Sequence, residues 1–501
     1  MRILLVTGRK AYSYVKRIVE ENRIPGLEIN IVEFPIDVAA LITINDLLRE
    51  LPKYQIVKQM DLIIVPGYVQ GDLSAVSEKI GVRIIKGVKN ARDIPLMLKA
   101  VMQGVLGSEK EPYDVFLHNL KIQRDQDVLS KVRSRALMNK YFEIRGVPIS
   151  RDYPLIFAEI PVFIDDKIED IVSKASRMVS KGADAIIYGV SEEPIRIDLI
   201  DLIKRSKRVL EKPIGLDSVN RDLFRLLQNH IDIYLSIYPD ELDTIPLSNE
   251  YAGYALTVIP RNIDSIDELV DTANRALSIG LNKLILDPVL QPPVLGLTRS
   301  IYRYLKIREK ITSYPLLMGV GNVIELIDAD SIGIVAILAS IGVEIGIEIY
   351  LATEASVKTR RAIYELRRAL DMAIIARETG GLPKDLSIDL LIAKSKKESL
   401  YKPRLEPNRV VNAKNKFEFI EDPKGYVRIS VDHSSEEIIL EHYEHGRKEP
   451  SIIIKSNDPL SIAKEVISRE LVSRLDHAIY IGVELGKAYK ALKLGGEYEQ
   501  E

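Results

Sequence analysis

From Arg151 to about residue 385 the chain repeats a single unit, a short apolar run followed by a helix-length segment with one apolar face. The runs cover residues 155–160, 183–190, 214–218, 231–238, 254–260, 283–289, 316–319 and 347–352. Each is apolar throughout instead of alternating, the pattern of parallel strands covered by helices. Eight such units within about 230 residues match the length of a (β/α)8 barrel. The expected class is therefore α/β, with a central (β/α)8 TIM barrel over residues 151–390.

The flanks read differently. Residues 1–150 predict an N-terminal α/β domain with strands at 2–7, 27–34, 61–66 and 82–85, a helix over 11–21, and a polar stretch over 117–140 leading onward. The loop 67–72, GYVQGD, follows a strand's carboxyl end, where ligands sit in such sheets, although a tight turn needing two glycines accounts for it more simply. Residues 391–410 are charged and carry prolines, which predicts a linker. Residues 411–501 predict a C-terminal α+β module: a hairpin over 417–443 turning at 423–425, then an amphipathic helix over 476–494. The helix carries a small-residue face of Ala478, Gly482, Gly486 and Ala488, which suits close packing against a neighbour or a second chain, so a homodimer is among the expectations.

Composition excludes several chemistries. With no cysteine there is no disulfide, iron–sulfur cluster or thiolate zinc site, and six histidines without a clustered pattern predict no built-in metal centre. His442 and His445, three apart on a predicted strand, point to opposite faces and do not read as a metal pair. Lysine plus arginine total 70 against 72 acidic residues, so bulk basicity offers no grip on nucleic acid. No apolar run approaches the ~18 residues of a membrane span. The expected location is the cytoplasm, and the absence of Cys and Trp beside abundant Ile, Lys and Glu fits a thermophile.

In a (β/α)8 barrel the site forms at the carboxyl ends of the strands. The polar residues there are Glu159; Ser191 and Glu192; Asp217 and Asn220; Ser236; Asp287; Gly319, Gly321 and Asn322; and Thr353 with Glu354. Asp328 and Asp330 precede the next helix. An acidic ring with amide and hydroxyl groups suits a neutral, donor-rich heterocycle, and a carboxylate's two acceptors match the adjacent N–H donors of a guanidine-like ring edge such as a pterin presents. The competing role for Asp217, Asp287, Asp328 and Asp330 is helix capping, and for Asn322 a left-handed turn position. Glu159 is harder to explain so simply, because an unpaired buried carboxylate is costly.

Four segments carry a family resemblance: GADAIIYGV (182–190), PIGLDS (213–218), KLILDPVLQPP (283–293) and PLLMGVGNVIELIDADSIG (315–333). They are similar to the pterin-binding barrel of dihydropteroate synthase, and more closely to the long archaeal dihydropteroate synthase-related proteins. The N-terminal LLVTGR, FPIDVAALIT and IIVPGYVQGDL resemble the leading domain of those proteins, and LVSRLDHAIYIGVELGKAYKALKLGGEYEQE resembles the A-type module of tetrahydromethanopterin S-methyltransferase. The resemblance implies that Asp217 and Asp287 contact a pterin. The chain departs from the synthase pattern where the diphosphate binds: Glu159-Ile160-Pro161 replaces an Asn-rich loop, Gly321-Asn322-Val323 replaces a Ser-Arg-Lys segment, and Thr353-Glu354 replaces an Arg and a His.

The first expectation is a synthase-like transferase joining a 6-hydroxymethyl-dihydropterin diphosphate, with Mg2+, to an arylamine in folate or methanopterin synthesis. Lys358, Arg360 or Arg361 would then have to replace the missing cations. The alternatives are a methyltransferase using a methyl-tetrahydropterin donor and its acceptor, with His477 a remote candidate for a corrinoid ligand, and a non-catalytic pterin carrier or scaffold.

Overall fold

The computed structural model describes residues 1–190, 197–244, 254–395, 410–411, 413 and 420–500. Ser191, Glu192, most of the expected linker and the start of the expected hairpin at Phe417 lie outside the described residues. The chain forms two compact units, Met1–Asn139 with Leu370–Asp389, and Lys140–Ala369 with Leu390–Glu501.

The first unit is built on four parallel strands, β1 (Arg2–Gly8), β2 (Glu28–Phe34), β3 (Leu62–Val65) and β4 (Ile84–Lys86), in the order β2-β1-β3-β4. Alternate residues feed two cores, Ile3, Leu5, Leu62 and Ile64 on one face and Leu4, Val6, Ile63 and Val65 on the other. This explains the unbroken apolar runs. The polar stretch over 117–140 is the helix His118–Met138. Its buried face is charged in the first half and apolar in the second, Lys121 and Asp125 followed by Leu129, Val132 and Ala136. Asp93, fully buried, takes Lys121 at 2.7 Å and also pairs with Arg124, which holds Asp125 at 2.7 Å. Ion pairs thus interrupt the apolar stripe that would mark the helix.

In the second unit eight parallel strands form the barrel: β7 (Leu155–Pro161), β8 (Ala185–Gly189), β9 (Ile214–Asp217), β10 (Ile233–Ile237), β11 (Ala255–Val258), β12 (Leu284–Leu286), β13 (Leu317–Gly319) and β14 (Ile349–Thr353). They run β12-β11-β10-β9-β8-β7-β14-β13, and a parallel bridge between Leu286 and Leu316 closes the ring. Before them, the hairpin of β5 (Lys140–Ile144) and β6 (Val147–Ser150) packs Phe142, Ile144 and Ile149 against inward residues Leu155, Ala185, Ile233, Ala255 and Ile349. Beside it, fully buried Glu348 accepts from Arg308 at 2.5 Å, Tyr141 at 2.9 Å and the Leu316 N–H at 2.7 Å. The amino end of the barrel is thus filled, which leaves the carboxyl end for a ligand.

The C-terminal module is an antiparallel sheet of β15 (Tyr426–Asp432), β16 (Glu437–Tyr443) and β17 (Ile452–Ser456), covered by helices Pro459–Ser468 and Leu475–Leu494. Its hairpin turns at residues 433–436, not at 423–425, which precede β15 in a small Asp422–Gly425 bridge. Asp432 makes the turn by accepting the N–H groups of Ser434 and Ser435, with Glu436 left-handed (φ 58°), so neither Gly nor Pro marks it. His442 faces the core of β16, whereas His445 lies beyond the strand's end and reaches the Asp422 carbonyl. Of the small-residue face, Ala488 is buried, while a Cβ at Gly482 or Gly486 would meet nothing within 4 Å among the described residues.

Candidate ligand site at the mouth of the barrel

Side chains alternate across a strand, so the inward layers follow from parity. Ala185, Ile187 and Gly189 on β8, Ala255 and Thr257 on β11, and Leu317 and Gly319 on β13 share the inward parity. Carried to the carboxyl ends, the same parity places Glu159, Asp217, Thr257, Asp287 and Thr353 in one ring at the mouth. Glycines at 189 and 319 leave gaps in it. At Gly189 a Cβ would stand 2.6 Å from Glu159 Oε1, so only glycine lets that carboxylate lie over β8.

Asp217 and Asp287 are each held by one oxygen. Ser236 Oγ donates to Asp217 Oδ1 at 2.6 Å. Ser236 can do so because β10 bulges there, with Ser236 at φ 65° and the register shifting between Tyr234 and Ile237. Arg221 clamps the bulge, donating to the Ser236 carbonyl at 3.1 Å, the Tyr234 hydroxyl at 2.8 Å and Glu241 at 2.8 Å. Asp287 Oδ1 accepts the Val289 N–H at 2.8 Å and lies 2.9 Å from the Tyr304 hydroxyl. Val289 is itself left-handed (φ 64°), and Arg303 pins the turn through the carbonyls of Pro288 and Val289. Neither carboxylate caps a helix, and Oδ2 of each has no protein partner among the described residues.

Glu159 accepts no hydrogen bond from any described residue. Burial, followed by the nearby charges of Asp217 and Glu325, pushes its carboxyl up to about 7. Burial also raises Asp217 and lifts Asp287 to about 6, against the hydrogen bonds that favour their charged forms. Two hydroxyls complete the ring, Thr257 Oγ1 and Thr353 Oγ1, both buried without a hydrogen-bond partner. Such groups are costly unless something else satisfies them. Thr257 was missing from the candidates because the apolar run reads on to Pro260, which hides where β11 ends; its parity with Ala255 would have found it.

Most of the other candidates have structural partners. Asn220 caps the helix Arg221–Leu227, accepting from the N–H groups of Asp222 and Leu223. Glu354 caps the start of the helix Ala362–Glu378 through the Ile363 N–H at 3.1 Å. Asp328 is exposed and pairs with Lys358 at 2.9 Å. Asp330 occupies the N-cap of the helix Ser331–Ile345 without a side-chain capping bond. Asn322 donates to the Leu290 carbonyl at 2.9 Å, joining the turn Gly319–Gly321 to the loop after β12 at the rim. His477 is buried in the C-terminal module, its Nδ1 3.4 Å from Asp422 Oδ2 and its ring stacked on Tyr480. Burial works against the Asp422 charge, yet hydrogen bonds from Ser473, Lys424 and Arg474 hold that carboxyl far below the usual range.

Cations are less available. Lys358 is committed to Asp328, and Arg360 holds the Gly495 carbonyl at 2.9 Å and Glu497 at 2.7 Å. Arg361 lies over the Tyr364 ring. No three His, Asp or Glu side chains among the described residues are grouped to hold a metal ion. No helix among the described residues is long and apolar enough to cross a membrane.

Residues 421–501 match the family PterinBD-DUF4346, and residues 1–89 match a family of unknown function, DUF6513. Over its whole length the chain is 29% identical to an uncharacterized protein of Methanocaldococcus jannaschii, covering 98% of that protein. Among solved structures it is similar to a truncated 3-deoxy-D-arabino-heptulosonate 7-phosphate synthase of Thermotoga maritima (14% identity, 48% of this chain and 93% of that one, TM-score 0.36). It is likewise similar to the DHPS of Yersinia pestis with a pterin–sulfa conjugate (14% identity, 47% of this chain and 99% of that one, TM-score 0.36). At those scores neither likeness bears on what the chain does.

Proposed function

We propose that the barrel mouth binds a reduced pterin and transfers a one-carbon group from it. The observation that carries this reading is the pair of half-buried carboxylates, Asp217 and Asp287, each fixed through Oδ1 with Oδ2 left over, beside the two threonine hydroxyls without a partner among the described residues. A ring edge with adjacent N–H donors supplies what the carboxylates accept, and pterin oxygen and nitrogen atoms supply partners for Thr257 and Thr353. The name of the family matched by residues 421–501 agrees with a pterin ligand.

Glu159 is the proton carrier in this reading. With a carboxyl near neutrality it can give a proton to a pterin nitrogen as the carbon leaves, or take one from the acceptor. Lys358 and Arg360 already pair with Asp328 and Glu497, leaving Arg361 of the three expected cations, and this favours methyl transfer over condensation with an arylamine, because departure of diphosphate needs cations to meet its charge. Calorimetric titration with Mg2+ present, comparing 6-hydroxymethyl-7,8-dihydropterin diphosphate with a methylated tetrahydropterin, tests the choice. Tighter binding of the methylated ligand is expected. Preference for the diphosphate would restore the synthase-like reading, and binding of neither would remove the pterin.

A further inference from the structure

A second cleft lies in the first unit, at the carboxyl edge of its sheet. It encloses about 550 Å3, within the range of small-molecule sites. The sheet order β2-β1-β3-β4 places it at the switch point, where the chain leaves β1 for β2 on one side and later returns to β3 on the other. Thr7 at the end of β1 and Lys10 after it, Asp37 and Val38 after β2, Tyr68 after β3 and Lys89 after β4 all line it.

Its lining specifies a ligand chemistry. Ala11, Val15, Ile94 and Met97 make apolar walls, and Tyr14 and Tyr68 add aromatic faces. Several of the backbone donors that a diphosphate would need are already engaged. The N–H groups of Arg9 and Lys10 bond the carbonyls of Ile36 and Asp37 at 2.9 and 3.0 Å. The Gly67 N–H bonds the Val88 carbonyl at 3.2 Å, and the Lys89 N–H bonds Asp114 at 2.9 Å. Charge must then come from side chains. Asp37 is offset by Arg9 at 3.5 Å, whereas Lys10 and Lys89 form no ion pair among the described residues, and the Lys89 ammonium stands over the Tyr68 ring at 5.3 Å.

We infer that this cleft binds an organic anion with one flat ring body and a single carboxylate or phosphate group, seated between the tyrosines with its charge on Lys10 and Lys89. Nucleotides with bound diphosphate are disfavoured by the occupied backbone donors. The site is separate from the barrel chemistry and stands without it.

The probe is 8-anilinonaphthalene-1-sulfonate, a ringed anion whose fluorescence rises in apolar clefts, titrated into the full chain beside the uncharged N-phenyl-1-naphthylamine. The pair Lys10→Ala and Lys89→Ala should weaken the anionic dye by about tenfold or more while leaving the neutral dye nearly unchanged, as loss of a charged contact predicts. Ala11→Phe, which fills the cleft from the helix, should weaken both dyes, with far-ultraviolet circular dichroism showing that each variant folds. Displacement by 4-aminobenzoate or by adenosine 5′-monophosphate would support the site and tell carboxylate from phosphate. Anionic dye binding that survives the lysine changes, or displacement by neither competitor, would overturn it.

Discussion

At the barrel mouth, Glu159, Thr257 and Thr353 each carry an unmet cost. Glu159 holds its proton up to about 7 in the folded chain against an ordinary 4.5. Because the folded value lies above the ordinary one, its contribution to stability is intact at low pH and drains away as pH rises through about 7. Glu159→Gln, which carries no charge, should therefore match the wild type near about pH 3.5, below the ordinary value, and exceed it by roughly 3 kcal/mol near about pH 8. Chemical unfolding at the two pH values measures this, and a gap that does not change with pH would mean the carboxyl is not raised. The threonines make the complementary case. Thr257→Val or Thr353→Val removes a buried hydroxyl that has no partner, so unfolding free energy should stay level or rise by about 1 kcal/mol while pterin affinity falls. A variant that loses stability would show that the hydroxyl is satisfied within the fold.

At the scale of elements, close packing and local clamps set the site. Gly215 in β9 lies where a Cβ would meet Ile187 Cδ1 at 2.4 Å and Ile233 Cβ at 3.0 Å, both in the barrel interior. Gly215→Ala should cost about 1–3 kcal/mol by overpacking that interior, read as a lower denaturant midpoint with an unchanged slope. All eight barrel strands were legible in the sequence because a strand buried on both sides must be apolar along its length. Asp217 and Asp287 were legible too, since each is the first polar residue after such a run. What did not show was geometry with no compositional trace. The left-handed Ser236 looks like any strand serine, and Asn220 and Glu354 look like mouth residues until their backbone partners are seen. The helix His118–Met138 stayed hidden because its inward face starts with Lys121 and Asp125, leaving the apolar stripe to Leu129, Val132 and Ala136 in its second half.

At the scale of the molecule, the division into two compact units predicts two unfolding transitions in calorimetry. Asp93→Ala should lower only one of them, by about 1–3 kcal/mol, because it removes the shared carboxylate between Lys121 and Arg124 in the first unit and leaves each cation with one remaining acid, Asp114 and Asp125. A single transition shifted as a whole would show that the units unfold together. The chain then presents two separate ligand chemistries, an acidic mouth that accepts donors and a basic, aromatic cleft that accepts an anion. The first of these is the central claim, and Asp287 tests it most directly because the fold holds its Oδ1 and leaves Oδ2 without a partner among the described residues. Calorimetric titration of a methylated tetrahydropterin into wild type and Asp287→Asn should show affinity falling by about 1–3 kcal/mol in the variant, the cost of losing a charged hydrogen bond. Equal affinity in a folded Asp287→Asn would contradict the account.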